Sequence, residues 1–191
     1  MQNRPRDFIK RQSESVIAEA GSGDKQGRSV IDLSLDVQEQ MKNGAHVFVF
    51  SPDKWGLSEQ VKADSAAKMS LQDFSASNLH DGNLSALYIP NVVSAKKSGL
   101  TEDVFENILP GLKKKLTKNG KIIIIENLAA DRSAFLKNIQ YGAYGLVAEI
   151  NEGRSYRTKL DQLKMRETPA AEENLFRTGT PFIVELRNKD A

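Results

Sequence analysis

The chain of 191 residues contains no cysteine and only two histidines, His46 and His80. Disulfides, thiolate metal sites and a cysteine nucleophile are therefore excluded, as is a histidine-rich metal centre. No apolar run approaches the roughly 20 residues needed to cross a bilayer. Met1 to Arg11 is polar and basic and lacks the apolar centre of a signal peptide. A cytoplasmic location without a membrane partner is the expectation. A formal net charge of +2 is too small to support nucleic-acid binding by itself. Neither a G-x-S-x-G elbow nor a G-x-x-x-x-G-K-[ST] loop occurs. The lone Trp55 and the few tyrosines are not spaced as stacking platforms for single strands.

What is present is an ordinary globular balance, 39% hydrophobic and 27% charged. The length suits one sizeable core. The first fourteen residues read as an arm or short leading helix, and residues 15–191 as a single domain. Ser15 to Ala20 reads as a first strand running into the glycine-rich turn Gly21-Ser22-Gly23-Asp24-Lys25-Gln26-Gly27. Val30, Leu33, Val37 and Met41 then fall on one helix face, and Asn43-Gly44 stops that helix. An alternating strand through Ile31, Leu33, Leu35 and Val37 competes with it. Ala45 to Phe50 is a clear second strand, ended by Ser51-Pro52-Asp53. Residues 57–68 read as a polar helix, Met69 to Phe74 as a strand ending near Asp73, and Leu84 to Ile89 as a further strand.

Thr101 is a candidate N-cap for a helix striped by Phe105, Ile108, Leu109, Leu112 and Leu116, with a kink expected at Pro110-Gly111. Lys113, Lys114 and Lys115 at its end read as a solvated terminus suited to the helix dipole. Next comes Ile122-Ile123-Ile124-Ile125 before Glu126. A strand apolar at successive positions is buried on both faces, which requires helices on both sides of a parallel sheet. A last long helix is read through Phe135, Ile139, Ala143, Leu146, Val147 and Ile150. Leu160 to Met165 and Phe182 to Leu186 read as final strands. The class is α/β: a Rossmann-like, mainly parallel sheet with helices on both faces. Ligands of such folds lie at the carboxyl ends of the strands.

The glycine turn has a physical use there, because glycines let a backbone approach a ligand closely. Gly21, Gly23 and Gly27 do not make the dinucleotide spacing G-x-G-x-x-G, since the third glycine comes one residue late. Val16 to Asp24 resembles the first motif of the class I S-adenosylmethionine-dependent methyltransferases, an acidic residue, Glu19, two before a Gly-x-Gly. That resemblance implies that Gly21 and Gly23 contact the methionine part of the cofactor. It further implies that Asp53 holds the ribose and that Asp73 lies near the adenine. Lys25 departs from the pattern, and no catalytic signature stands near Pro90-Asn91.

From Leu109 to Leu186 the chain resembles short-chain dehydrogenase/reductases of the β-ketoacyl-reductase kind. Gln140 to Val147 looks like their tyrosine-bearing helix, and Arg177 to Val184 like their closing turn and last strand. That chemistry needs a lysine four residues after the tyrosine. Tyr141 leads to Gly145 and Tyr144 to Ala148, so no ketoreductase activity is expected. The reading favoured by the sequence is a catalytically silent reductase-like domain, binding no cofactor and acting through structure or interaction, as companions do in fatty-acid and polyketide systems. The alternative is a small class I methyltransferase using S-adenosylmethionine. A protein partner or homo-oligomer would use helices at 101–117 and 133–150, with Phe135, Tyr141 and Tyr144 at an outer contact.

Overall fold

Successive β-branched and aromatic residues between helix-period stretches should produce strands joined by crossovers. The computed structural model bears this out. It describes residues 15–20, 30–50, 64–67, 69–90, 102–127, 135–137, 139, 144–173 and 180–189. Its strands are β1 (Val16–Glu19), β2 (Ile31–Asp32), β3 (His46–Phe50), β4 (Ser65–Ala67), β5 (Leu84–Pro90), β6 (Leu116–Glu126), β7 (Leu146–Glu152), β8 (Arg166–Glu167) and β9 (Phe182–Asn188). Its helices are α1 (Ser34–Lys42), α2 (Leu71–Ala76), α3 (Glu102–Lys115), α4 (Arg154–Gln162) and α5 (Pro169–Glu173). Residues 135–137 and 139 are also helical. None of the described helices is long and apolar enough to cross a membrane.

The main sheet has seven strands in the order β4-β3-β1-β5-β6-β9-β7, and β2 pairs with β8 in a small second sheet. From β4 through β6 every pairing is parallel. β9 is antiparallel to both of its neighbours, β6 and β7. The last strand is therefore inserted, reversed, between β6 and the edge. A doubly wound dinucleotide fold keeps its strands parallel in the order 3-2-1-4-5-6 and has no such insertion.

The isoleucine run behaves as its composition demands. Ile122 to Ile125 are wholly buried. Ile122 and Ile124 pack on the side of Phe74, Leu109 and Leu112. Ile123 and Ile125 pack on the side of Val37, Tyr156 and Leu160. The β5–β6 ladder shifts register between Leu84 and Ala86. Gly120 allows that close approach, since a Cβ there would lie 2.5 Å from the Leu84 carbonyl oxygen.

Several expectations are corrected. Met69 to Phe74 is not a strand. The third strand is β4, within residues read as helical, and Ser70 instead caps α2 by accepting from the Asp73 N–H. The apolar face read from Val30 belongs to a helix only from Ser34, because Ile31 and Asp32 pair with β8. α3 continues through Pro110. Its neighbour Gly111 brings it against α2, where an added Cβ would meet the Ser75 Oγ at 2.3 Å. The helix read through residue 150 is helical at 135–137 and 139 but gives way to β7 from Leu146, and the strand read at Leu160 to Met165 is replaced by the end of α4 and its turn. Phe135 is buried against Phe182 and forms no outer contact. Tyr144 is exposed in a turn, and Tyr141 lies outside the described residues.

The lysine run is only partly solvated. Lys114 is exposed, but Lys115 is wholly buried. The Lys115 ammonium donates to the carbonyls of Ser77 at 2.6 Å and Leu79 at 3.1 Å, and pairs with Asp81 at 3.0 Å. It also lies 4.9 Å from the centre of the Phe74 ring. This cation ties α3 to the segment entering β5.

Candidate cofactor site at the carboxyl edge

Parallel strands β1, β3, β4, β5 and β6 end on one edge of the sheet, so the residues closing them are brought together. Glu19 closes β1 and is wholly buried. It is the first member of the acidic-then-Gly-x-Gly pattern. Gly21, Gly23 and Asp53 lie outside the described residues. Asp73 is not at a strand end. It sits in the first turn of α2, where its carboxylate accepts from the Ser70 hydroxyl at 2.7 Å. The Ser70 hydroxyl in turn accepts from the Asp73 N–H at 3.0 Å, so the two residues bond each other at the start of α2.

Two polar residues at the same edge were not singled out as candidates by their pattern. Glu126 ends β6 wholly buried, and Asn127 follows it almost as deeply. Burial of three polar residues at one sheet edge is uncommon without a ligand or a partner network. The only sequence signal was that polar residues stop an otherwise apolar run.

Behind Glu19 the sheet carries further polar groups on one face. The register runs from Glu19 to Tyr88, from Tyr88 to Ile123, and from Ile123 to Glu185. Tyr88 is wholly buried in β5. Its hydroxyl donates to the Asp36 carboxylate and accepts from the Gln40 amide at 2.7 Å. The same amide donates to Asp36 at 2.9 Å. Burial first, then the adjacent Asp36 charge, pushes the Tyr88 phenol well above its ordinary 10.0 and keeps it a donor.

Further along the row, Lys159 reaches Glu185 at 2.6 Å and Glu149 at 3.0 Å. Burial works against the ammonium charge, but its hydrogen bonds to the Glu185 and Glu149 carboxylates outweigh it and hold the Lys159 pKa above the usual value. Arg187 also pairs with Glu185. This network fastens α4 to β7 and β9. Neither the Tyr88 triangle nor the Lys159 network shows in apolar periodicity, because each places polar side chains in a core.

A groove of about 370 Å³ between α2 and α3 is lined by Gln72, Ser75, Asn78, Asp81, Asn107 and Lys114. It adjoins the segment entering β5, so it belongs to the opposite edge from Glu19.

No family model matches the sequence. No curated protein matches it either. Solved structures do match. The 16S rRNA (adenine(1408)-N(1))-methyltransferase from Catenulisporales acidiphilia matches with a TM-score of 0.54 at 12% identity, covering 98% of this chain and 94% of that one. A variant of that enzyme, solved with its cosubstrate SAM, matches with a TM-score of 0.52 at 13% identity, covering 97% and 91%. An antibiotic-related methyltransferase matches with a TM-score of 0.54 at 10% identity, covering 98% and 96%.

At such identities the likeness establishes the fold alone, which is that of these methyltransferases. It overturns the reading of a silent reductase-like domain, as does the reversed strand β9. The expectation that no cofactor binds was part of that reading and loses its support with it.

Proposed function

We propose that the chain is a small class I methyltransferase that binds S-adenosylmethionine at the carboxyl edge of β1, β3, β4 and β5. The observation that carries the proposal is Glu19. It is a carboxylate buried at the end of β1, two residues before Gly21-Ser22-Gly23, in a sheet whose last strand is inserted antiparallel. An anionic group there suits the cationic ammonium and sulfonium of the cofactor, with the attraction raised by exclusion of water. Gly21 and Gly23 would let the backbone approach the methionine part, and Asp53 would accept from the ribose hydroxyls. Bound there, the cofactor supplies an electrophilic methyl group. The chain's own task is to hold it and keep water from the Glu19 side.

The test is calorimetric titration with S-adenosylmethionine, S-adenosylhomocysteine, NADH and NADPH. The two adenosyl ligands should bind at micromolar concentration and the nicotinamides should not. Gly21→Val and Gly23→Val should each weaken binding, because a side chain blocks backbone approach. A folded protein that binds neither adenosyl ligand would refute the proposal.

A further inference from the structure

We infer that the amino-terminal edge of the sheet is a binding surface for single-stranded nucleic acid, with Tyr144 as a stacking ring and Lys113, Lys118, Lys121 and Lys189 as phosphate contacts. The inference goes beyond the cofactor reading and does not depend on it. The formal net charge of +2 conceals the surface, because its lysines come from segments far apart in sequence. The Lys113 ammonium, near the end of α3, donates to the Tyr144 carbonyl at 3.3 Å. The Lys189 N–H, just past β9, donates to the Gly145 carbonyl at 3.3 Å. The Asn188 amide donates to the carbonyl of Thr117, which precedes Lys118, at 3.0 Å. Lys121 faces Arg187 across the β6–β9 ladder. These contacts gather the end of α3, the start of β6, the end of β9 and the turn into β7. Among the described residues, none of the four ammonium groups pairs with a carboxylate. The acids nearby are already engaged, Asp81 by Lys115 and the buried Glu185 by Lys159 and Arg187.

Tyr144 stands among these cations, 51% exposed. Its backbone is left-handed, with φ 43. Glycine or asparagine adopts that conformation at lower cost, and a ring left in water recovers little of the cost through burial. Strain of this kind gathers at functional surfaces. The neighbouring Gly145 leaves room for the Lys113 ammonium, since a Cβ there would lie 2.6 Å from it. An aromatic face beside unpaired cations suits a single strand, with a base on the ring and phosphates on the lysines. An anionic bilayer would call for apolar side chains to insert. Leu146 and Ala148 turn to the core instead, leaving only Val147 outside on that stretch of β7. Lys121 and Glu126 stand at opposite ends of the apolar run of β6, about 16 Å apart at roughly 3.3 Å per residue. The surface is thus separate from the cofactor edge.

The experiment follows fluorescence anisotropy of labelled 20-nucleotide oligothymidylate and oligouridylate over about 50–200 mM salt, with no adenosyl ligand present. The wild type should bind at micromolar concentration, with log K falling against log salt at a slope of about −3, as four phosphate contacts on a single strand require. The double variant Lys118→Gln/Lys189→Gln changes two exposed positions. It should bind about tenfold or more weakly and lose about 1.4 from the slope. Tyr144→Ala should weaken binding by about fivefold to a hundredfold and leave the slope unchanged, whereas Tyr144→Phe keeps the ring and the affinity. Arg154→Gln/Arg157→Gln removes the same charge from exposed positions of α4 and should bind within twofold of wild type. Thermal midpoints confirm that each variant is folded. A wild type that binds neither oligonucleotide at the lowest salt overturns the inference, as does a control pair that loses as much as the lysine pair. Unchanged binding by Tyr144→Ala removes the stacking platform and overturns the assignment to nucleic acid. So does sedimentation with phosphatidylserine vesicles by a protein that ignores both oligonucleotides. Failure of the cofactor reading shows separately, in the S-adenosylmethionine titration.

Discussion

Substituting Ile123 and Ile124 separately by alanine tests the doubly covered sheet most directly, because the two side chains point to opposite faces. Both are wholly buried, one packed with Val37 and Leu160, the other with Leu109 and Leu112. Each change removes three carbons, worth roughly 2.4 kcal/mol at about 0.8 kcal/mol per buried carbon. The cavity left behind brings the total to about 2–5 kcal/mol. A strand covered on one side only would give one large value and one near zero. The assay is urea unfolding followed by circular dichroism, with the midpoint and slope fitted for each variant. Val147→Ala on the edge strand β7, where the side chain is 54% exposed, is the control and should change stability by less than about 0.5 kcal/mol. If either isoleucine variant falls within the control's range, one face of β6 is not a packed core and the layered architecture is wrong.

Lys115→Met should cost about 2–4 kcal/mol, because the carbonyls of Ser77 and Leu79 and the Asp81 carboxylate lose their donor. Lys114→Met, one position earlier and exposed, should be nearly neutral by the same urea assay, and equal costs would refute the buried-cation account. His80 gives a pH dependence. Burial, then the Lys115 charge, lowers its pKa below the ordinary 6.5, so the unfolded chain binds the proton more readily. Its contribution to stability is complete above about 6.5 and is lost as pH falls through the lower folded value. His80→Gln should flatten that part of the stability–pH curve, and an unchanged slope would show that another group titrates there.

The central layer was legible because its residues announce themselves. Ala45 to Phe50, Leu84 to Ile89, the isoleucine run and Phe182 to Leu186 are short, apolar and β-branched or aromatic, and all are strands. Glu19 was singled out because it stands two residues before a Gly-x-Gly, and its burial at the end of β1 is what the structure adds. The stretch Met69 to Phe74 misled because, up to Asp73, a short strand and a short capped helix look alike in sequence. What distinguishes them is Ser70, three residues earlier, whose hydroxyl and N-cap geometry mark a helix start. The Tyr88 triangle was illegible for a different reason. Its members are 52 and 48 residues apart, and nothing local records that they meet.

The largest error came from one segment, and the functional misreading followed from it. Phe135, Ile139, Ala143, Leu146 and Ile150 are spaced by three and four, so the stretch to residue 150 fits a helical stripe. From Leu146 onward, however, the chain also alternates. Leu146, Ala148 and Ile150 face the core, while Val147 and Glu149 are exposed. A period of two over a half-covered edge strand and a period of four on a helix share the same apolar positions. The choice falls to the breakers. Gly145 at φ 78 and Gly153 at φ 59 bracket the segment, and neither fits a helix interior. Once Leu146–Glu152 is a strand, Tyr144 no longer stands on a helix, and the tyrosine-bearing helix of a reductase has no counterpart there. The reversed β9 then needs a neighbour on its outer side, and β7 supplies it through seven paired residues from Leu146 to Glu152. The same assignment that removes the reductase reading thus completes the sheet on which the methyltransferase reading rests.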